Sequence, residues 1–431
     1  MRNRETSILL LELGFSLLLF LIVNVVNAQI QPIISRQRGL AWESTDYYKV
    51  ALDFREGRTP RGPGHWVSRI GVPFLASILP GKDLIGNFRV VNIVANALTT
   101  LLLVYWLRFF IGSWKVRMLL ILLFLLPFNS MARRVYYAPV MLDHWEKFFL
   151  LAGLMCLHKM KDWSARRAIG LISLITAVGV TFRGITMLIP LSVLFSRNPI
   201  QFNREKFTFG IREWPPGTLY LPLLAGVLGI VFCNLVTISE SSTIGTMRLM
   251  GRFVYEMLLT TYVLAWFIAY GPILALVIYN WRSGLALLWE NQSLFVFLLC
   301  VLVFAWIGGA SANRYAQWAF PIVYVLMGRA VMEHSRELKS AAFVFVLAVS
   351  QIIAQRVFMI WPDHPSDAPA VLPLFTPLGN YVPLLDVLGI GTSVSNFIAL
   401  NQYLLFTVCT LLYLYYRERR LRKGQPLGAL V

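Results

Sequence analysis

Long apolar runs separated by short polar connections dominate the chain. The first covers residues 7–28, about 22 positions, which is enough to cross a bilayer and longer than the apolar part of a signal peptide. Further runs lie near 88–110, 118–128 and 148–157. Two shorter ones, 168–180 and 185–195, meet at the turn TFRG around Arg183 and predict a pair of tilted or partly buried helices. Runs near 218–236, 257–279, 294–309, 318–332, 341–360 and 403–416 complete the series. The pattern predicts an all-α polytopic membrane protein with about twelve transmembrane segments.

One polar stretch interrupts this rhythm, from Gln29 to about Asn87. A loop this long among otherwise short connections is usually a binding or catalytic element. Within it, Pro73 can open a helix, and Phe74, Leu75, Ile78 and Leu79 repeat at helical spacing before Pro80-Gly81 ends the run. That segment is too short to span and is expected to lie flat in the interface, with Trp66 at headgroup level. A second long connection covers residues 361–400. We expect a transmembrane core over 1–330 that includes loop 29–87, followed by C-terminal membrane segments over 331–431.

Charge changes the picture by its placement. The 431 residues are 57% hydrophobic and 14% charged, against the roughly 25% charged residues of soluble proteins. The net charge of +18 could suggest nucleic acid. However, Lys and Arg gather in alternate connections: Arg2 and Arg4, Lys115 and Arg117, Lys159 to Arg167, Arg204 and Lys206, Arg336 and Lys339, and the tail from Arg417 to Lys423. This is the positive-inside signal, and it speaks against nucleic-acid binding. It places both termini in the cytoplasm and loop 29–87 outside. The compact loops fit a bacterial cytoplasmic membrane. Cys156, Cys233, Cys300 and Cys409 all fall in apolar runs without metal-ligand spacing and read as small core residues.

Most charges on the expected outer face beyond the first loop are arginines: Arg133, Arg134, Arg183, Arg248, Arg252 and Arg314, with Lys147 the exception. A guanidinium binds phosphate oxygens in bidentate fashion, so such a face suits a lipid phosphate; ordinary headgroup contact is the alternative. Arg69 in the first loop is a further phosphate candidate. Glu43 and Asp46 lie three apart and share a face if that stretch is helical. A carboxylate there could act as general base on an acceptor hydroxyl, or simply pair with Arg36, Arg38 or Lys49. Asp143 opens the run near 148–157, where the helix macrodipole favours an acid. The adjacent His144 could contact phosphate, and His364 could reach a ligand from the second long connection. No P-loop, dinucleotide-binding glycine pattern or HExxH motif is present.

Four stretches, in order, give a resemblance: ESTDYYKVAL followed by SRIGVPFLASILP, then RRVYYAPVMLDHWEKFFLLAGL, VTFRGITMLIPLSVLF and ANRYAQWAFPIVYVLMG. Together they resemble the GT-C superfamily, polytopic glycosyltransferases that use polyprenyl-phosphate-linked sugars. The resemblance covers roughly residues 7–330. It implies that Asp46 is the catalytic base, with Glu43 the substitute, and that Asp143 is the second acidic residue. It implies phosphate contacts for Arg69 and Arg314; Arg134, Arg183 and His144 stand beside them as phosphate candidates from their own placement. The expected partners are a polyprenyl-phosphate-linked sugar, membrane lipids and a lipid, glycan or protein acceptor. A divalent metal is left open, because the paired-acid signature of some subfamilies is absent at Asp46. Two other readings stand beside it: a polymerase acting on lipid-diphosphate-linked units, and a lipid-linked glycan flippase. Transporters place charges at mid-membrane in broken helices, whereas the runs here are nearly free of charge, which favours an enzyme.

Overall fold

The computed structural model describes residues 2–35, 39–40, 43–203, 208–211, 215–240, 259–307, 312–358, 360 and 394–423, and it is overwhelmingly helical. Helix α1 (Arg2–Ile30) presents Leu10, Leu11, Leu18 and Val25 outward on a largely apolar surface. A helix apolar all round is stable only inside protein or lipid. The first loop folds into α2 (Ser44–Arg55), α3 (Gly64–Val67) and α4 (Gly71–Ile78). Then come α5 (Leu84–Arg108), α6 (Trp114–Leu125), α7 (Met131–Tyr137) and α8 (Asp143–Lys159). Helix α9 (Ala165–Phe182) breaks at Arg183 before α10 (Leu188–Val193), and α11 (Leu221–Val236) packs along α9.

The second half contains α12 (Leu259–Tyr270), α13 (Leu274–Tyr279), α14 (Trp281–Glu290) and α15 (Gln292–Ile307). It ends with α16 (Ala312–Ala316), α17 (Phe320–Glu333), α18 (Ala341–Ala354) and α19 (Val394–Lys423). A hairpin of β2 (Ile200–Asn203) and β3 (Thr208–Ile211) fills a connection expected to be a loop. A short parallel pairing of Arg61–Gly62 with Ile238–Ser239 ties the first loop to the end of α11.

Among the described residues, five helices are long and apolar enough to cross a membrane: Thr6–Ile30, Leu84–Arg108, Ala165–Phe182, Gly217–Val236 and Phe397–Leu421. The count becomes six if α14 and α15, bent by 116° at Asn291, form one broken span. This makes the chain an integral membrane protein. Length alone therefore accounts for fewer spans than the twelve or so membrane segments expected, because several apolar runs are divided. Pro127 follows α6, Arg183 interrupts 168–195, and Gly271-Pro272 splits 257–279. Arg248, Arg252 and His364, with most of the second long connection, lie outside the described residues.

The first loop is fastened to the bundle by a core of its own. Tyr47, Ala51, Val72 and Ala76 pack against Leu84, Phe88 and Val91 of α5, Phe149 of α8 and Phe182 of α9. Each of these large side chains contributes roughly 1.5–3 kcal/mol by leaving water. Asn87 adds direction: its Nδ2 donates to the carbonyls of Ala76 (2.9 Å) and Leu79 (3.0 Å), groups that the end of α4 leaves unpaired. The outward face of α4 carries Phe74 and Ile78, both well exposed, as a helix lying against lipid requires. At the opposite end of the bundle, buried Glu12 of α1 pairs with Arg108 at 3.0 Å and closely with Arg117.

Candidate functional site

The elements converge on Asp143, the first residue of α8. Its position is set by α5, where buried Asn92 donates to the carbonyls of Pro139 (2.8 Å) and Met141 (2.9 Å) and so holds the turn leading into Asp143. Buried beyond solvent reach, the Asp143 carboxylate accepts from three guanidinium groups. Arg134 Nη1 lies 2.7 Å from Oδ2, Arg314 Nη2 lies 2.8 Å from Oδ1, and Arg183 Nη1 is in close contact with the same Oδ1. These arginines come from α7, from the break after α9 and from α16. A cluster of this kind holds only when every charge has a partner, because an unpaired buried ion costs several kcal/mol.

One turn along α8, Glu146 shares Arg183 at 3.0 Å and accepts from Trp318 Nε1 at 2.8 Å. The Trp318 ring also lies 5.8 Å from the Arg183 guanidinium. Arg314 reaches outward with its other terminal nitrogen to Glu43 Oε1, at 3.5 Å. Glu43 and Arg314 form the accessible rim of the cluster, with side chains 19% and 12% exposed, whereas Asp143, Glu146 and Arg134 form its floor. Arg134 keeps Nε and Nη2 without a hydrogen-bond partner, and so does Nε of Arg314. The free Nε–Nη2 edge of Arg134 is the side-on fork that binds a carboxylate or phosphate in bidentate fashion.

Not every candidate joins this group. Asp46 lies in the first turn of α2, half-buried, with Lys49 and Glu43 as its electrostatic neighbours. Burial and the nearby Glu43 raise its carboxyl above the ordinary value, although Lys49 works the other way. For Glu43, burial also pushes upward, but Arg314, a backbone hydrogen bond and Arg183 outweigh it and hold the carboxyl below its ordinary value. Arg69 donates to the Tyr47 hydroxyl. That phenol is fully buried in α2, and burial pushes it up to about 12, against the pull of Arg69. His144 makes its hydrogen bond to α5 rather than to the arginines. Its Nδ1 lies 2.9 Å from Asn96 Oδ1, and its Nε2 has no partner.

Sequence reasoning missed Glu146, Trp318 and the asparagines of α5. The spacing of Glu146, three after Asp143, puts both on one helix face and was a usable signal. Asn87, Asn92 and Asn96 stand in an apolar span, where each polar side chain needs a partner. Among the described residues, no three His, Cys, Asp or Glu side chains group closely enough to hold a metal ion. The acids present do not fit a divalent cation as arranged, because both Asp143 oxygens and Glu146 are already engaged by guanidinium and indole donors.

Neither a family model nor a curated relative matches the chain. Among solved structures it is similar to the oligosaccharyltransferase of Archaeoglobus fulgidus, crystallised with a tethered acceptor peptide containing the NVT sequon. The TM-score is 0.47 at 10% identity, over 81% of this chain and 54% of that one. The chain thus spans about half the length of that enzyme.

Proposed function

We propose that the protein is a membrane glycosyltransferase of the GT-C kind. It moves a sugar from a polyprenyl-phosphate donor to a lipid, glycan or protein acceptor on the outer face, with residues 1–330 as its catalytic core. The observation that carries this reading is the buried arginine cluster, where Arg134 keeps an unpaired bidentate fork beside Arg314 at the rim. Buried donors without protein partners suit a bound anionic ligand.

The chemistry follows from the charge change. When the bond between the sugar carbon and the phosphate oxygen breaks, the donor's phosphodiester becomes a monoester and gains negative charge. Guanidinium groups already in position stabilise that charge more in the transition state than in the ground state. Their three carboxylate partners keep the resting cluster from collapsing through like-charge repulsion.

Asp46 is the better base of the two candidate acids, Glu43 and Asp46. Its raised carboxyl accepts a proton from the acceptor hydroxyl more readily than Glu43, which Arg314 holds ionised. Glu43 then orients Arg314, and Arg69 orients α2 through Tyr47. The test is transfer from a labelled polyprenyl-phosphate sugar in proteoliposomes. D46N should lower turnover by about 10²–10⁴-fold, the range for a lost general base, while donor binding persists. Full turnover by D46N would remove the base assignment. Movement of donor across the bilayer without transfer would replace the reading with a flippase.

A further inference from the structure

Lys147 stands one turn beyond Asp143 on α8, and its side chain is buried. Its Nζ donates to the neutral Gln317 Oε1 at 2.7 Å. Among the described residues no carboxylate comes within ion-pair distance of it. Counted with its neighbours, Arg134, Arg183, Arg314 and Lys147 face the carboxylates of Asp143, Glu146 and Glu43, which leaves one positive charge in excess.

A recess of about 20 Å³ opens beside Lys147, walled by Phe320 and Tyr270 and lined by Gln317, Asn129 and Ser130. Asn129 is 2% exposed and neither atom of its amide has a partner; Ser130 is 6% exposed and its hydroxyl has none. Lys147, Asn129 and Ser130 thus line a space about the size of one water, with the unpartnered amide and hydroxyl buried beside it. A water could satisfy the hydrogen bonds, but an anion also balances the excess charge of the cluster whenever Lys147 is protonated in this medium of low dielectric.

We propose that this recess is a binding site for a small monovalent anion of halide size, held by Lys147 Nζ, Asn129 Nδ2 and the Ser130 hydroxyl. The site neutralises the excess charge behind the arginine cluster and does not depend on the transferase reading. An organic phosphate is too large for the space, so the occupant is distinct from any lipid donor.

The test uses the purified full chain in detergent. Its melting midpoint is followed while sodium chloride replaces sodium gluconate at constant ionic strength. The expected result is a saturable rise in midpoint with chloride, reproduced by bromide. N129L, which keeps Lys147 and the volume of the recess, should need at least about tenfold more chloride for the same rise, since a bound ligand stabilises in proportion to the logarithm of its concentration over Kd. S130A should weaken the response, and K147M should abolish it. Equal midpoints in chloride and gluconate would overturn the proposal, as would a chloride response unchanged in N129L. In bromide-soaked crystals, an anomalous peak between Lys147 and Asn129 is expected; a site occupied by water alone would also overturn it.

Discussion

Asp143 is the residue on which the cluster turns, since three arginines lean on one carboxylate. Replacing it by Asn keeps the shape and removes the charge. D143N should therefore cost about 3–5 kcal/mol of stability, the range for breaking a buried ion pair, read as a lowered unfolding midpoint in detergent. R314K tests geometry rather than charge. Lysine cannot span Asp143 and Glu43 with two nitrogens of one planar group, so transfer should fall by at least about tenfold with little change in midpoint. The pH dependence follows from Glu43 and Asp46. Asp46 must be ionised to accept a proton, so kcat/KM should rise with pH through its raised pKa, and E43Q should leave that limb in place. Glu43 has a depressed pKa in the folded chain. The stability it contributes is present above its ordinary value of 4.5 and is lost as the pH falls through the lower folded value.

At the scale of elements, the site depends on how α5 and α4 hold their neighbours. Asn92 satisfies two carbonyls of the turn before α8 with a single amide. N92L strands both, and each buried unsatisfied group costs about 1–3 kcal/mol. The variant should melt earlier and lose transfer as Asp143 shifts. Gly71 opens α4 directly against the Phe182 ring, where an added Cβ would collide with it. Phe182 is the residue before Arg183. G71A should thus cost about 1–3 kcal/mol through overpacking and lower transfer as well. A G71A enzyme with normal turnover would show that the α4–α9 contact does not position Arg183.

Across the whole molecule, the arginine cluster and the Glu12–Arg108–Arg117 group occupy opposite ends of the bundle. From the positive-inside pattern we propose that the first of these ends lies outside. A cysteine placed at exposed Glu56 should react with an impermeant maleimide in intact cells, and one placed at exposed Lys161 only after lysis. The reverse pattern would invert the topology. Much of this organisation was legible in the chain. The break at TFRG and the short helix expected to open at Pro73, which begins two residues earlier at Gly71, follow from local apolar spacing and helix breakers. The number of full spans was not legible, because the Gly271-Pro272 break and the sharp bend at Asn291 divide apolar runs that hydropathy reads as continuous or overlooks.

By itself the sequence determined that the chain lives in a bilayer, because hydropathy is a local sum over neighbouring residues. Which of its arginines meet was decided only by the tertiary structure. Arg134, Arg183 and Arg314 are far apart in the chain, and only the packing of α7, the end of α9 and α16 around the start of α8 brings them onto Asp143, with Asp46 and His144 left beside the cluster. Burial makes that choice binding, since a guanidinium removed from water must find acceptors, and for these three the fold offers Asp143, Glu146 and Glu43.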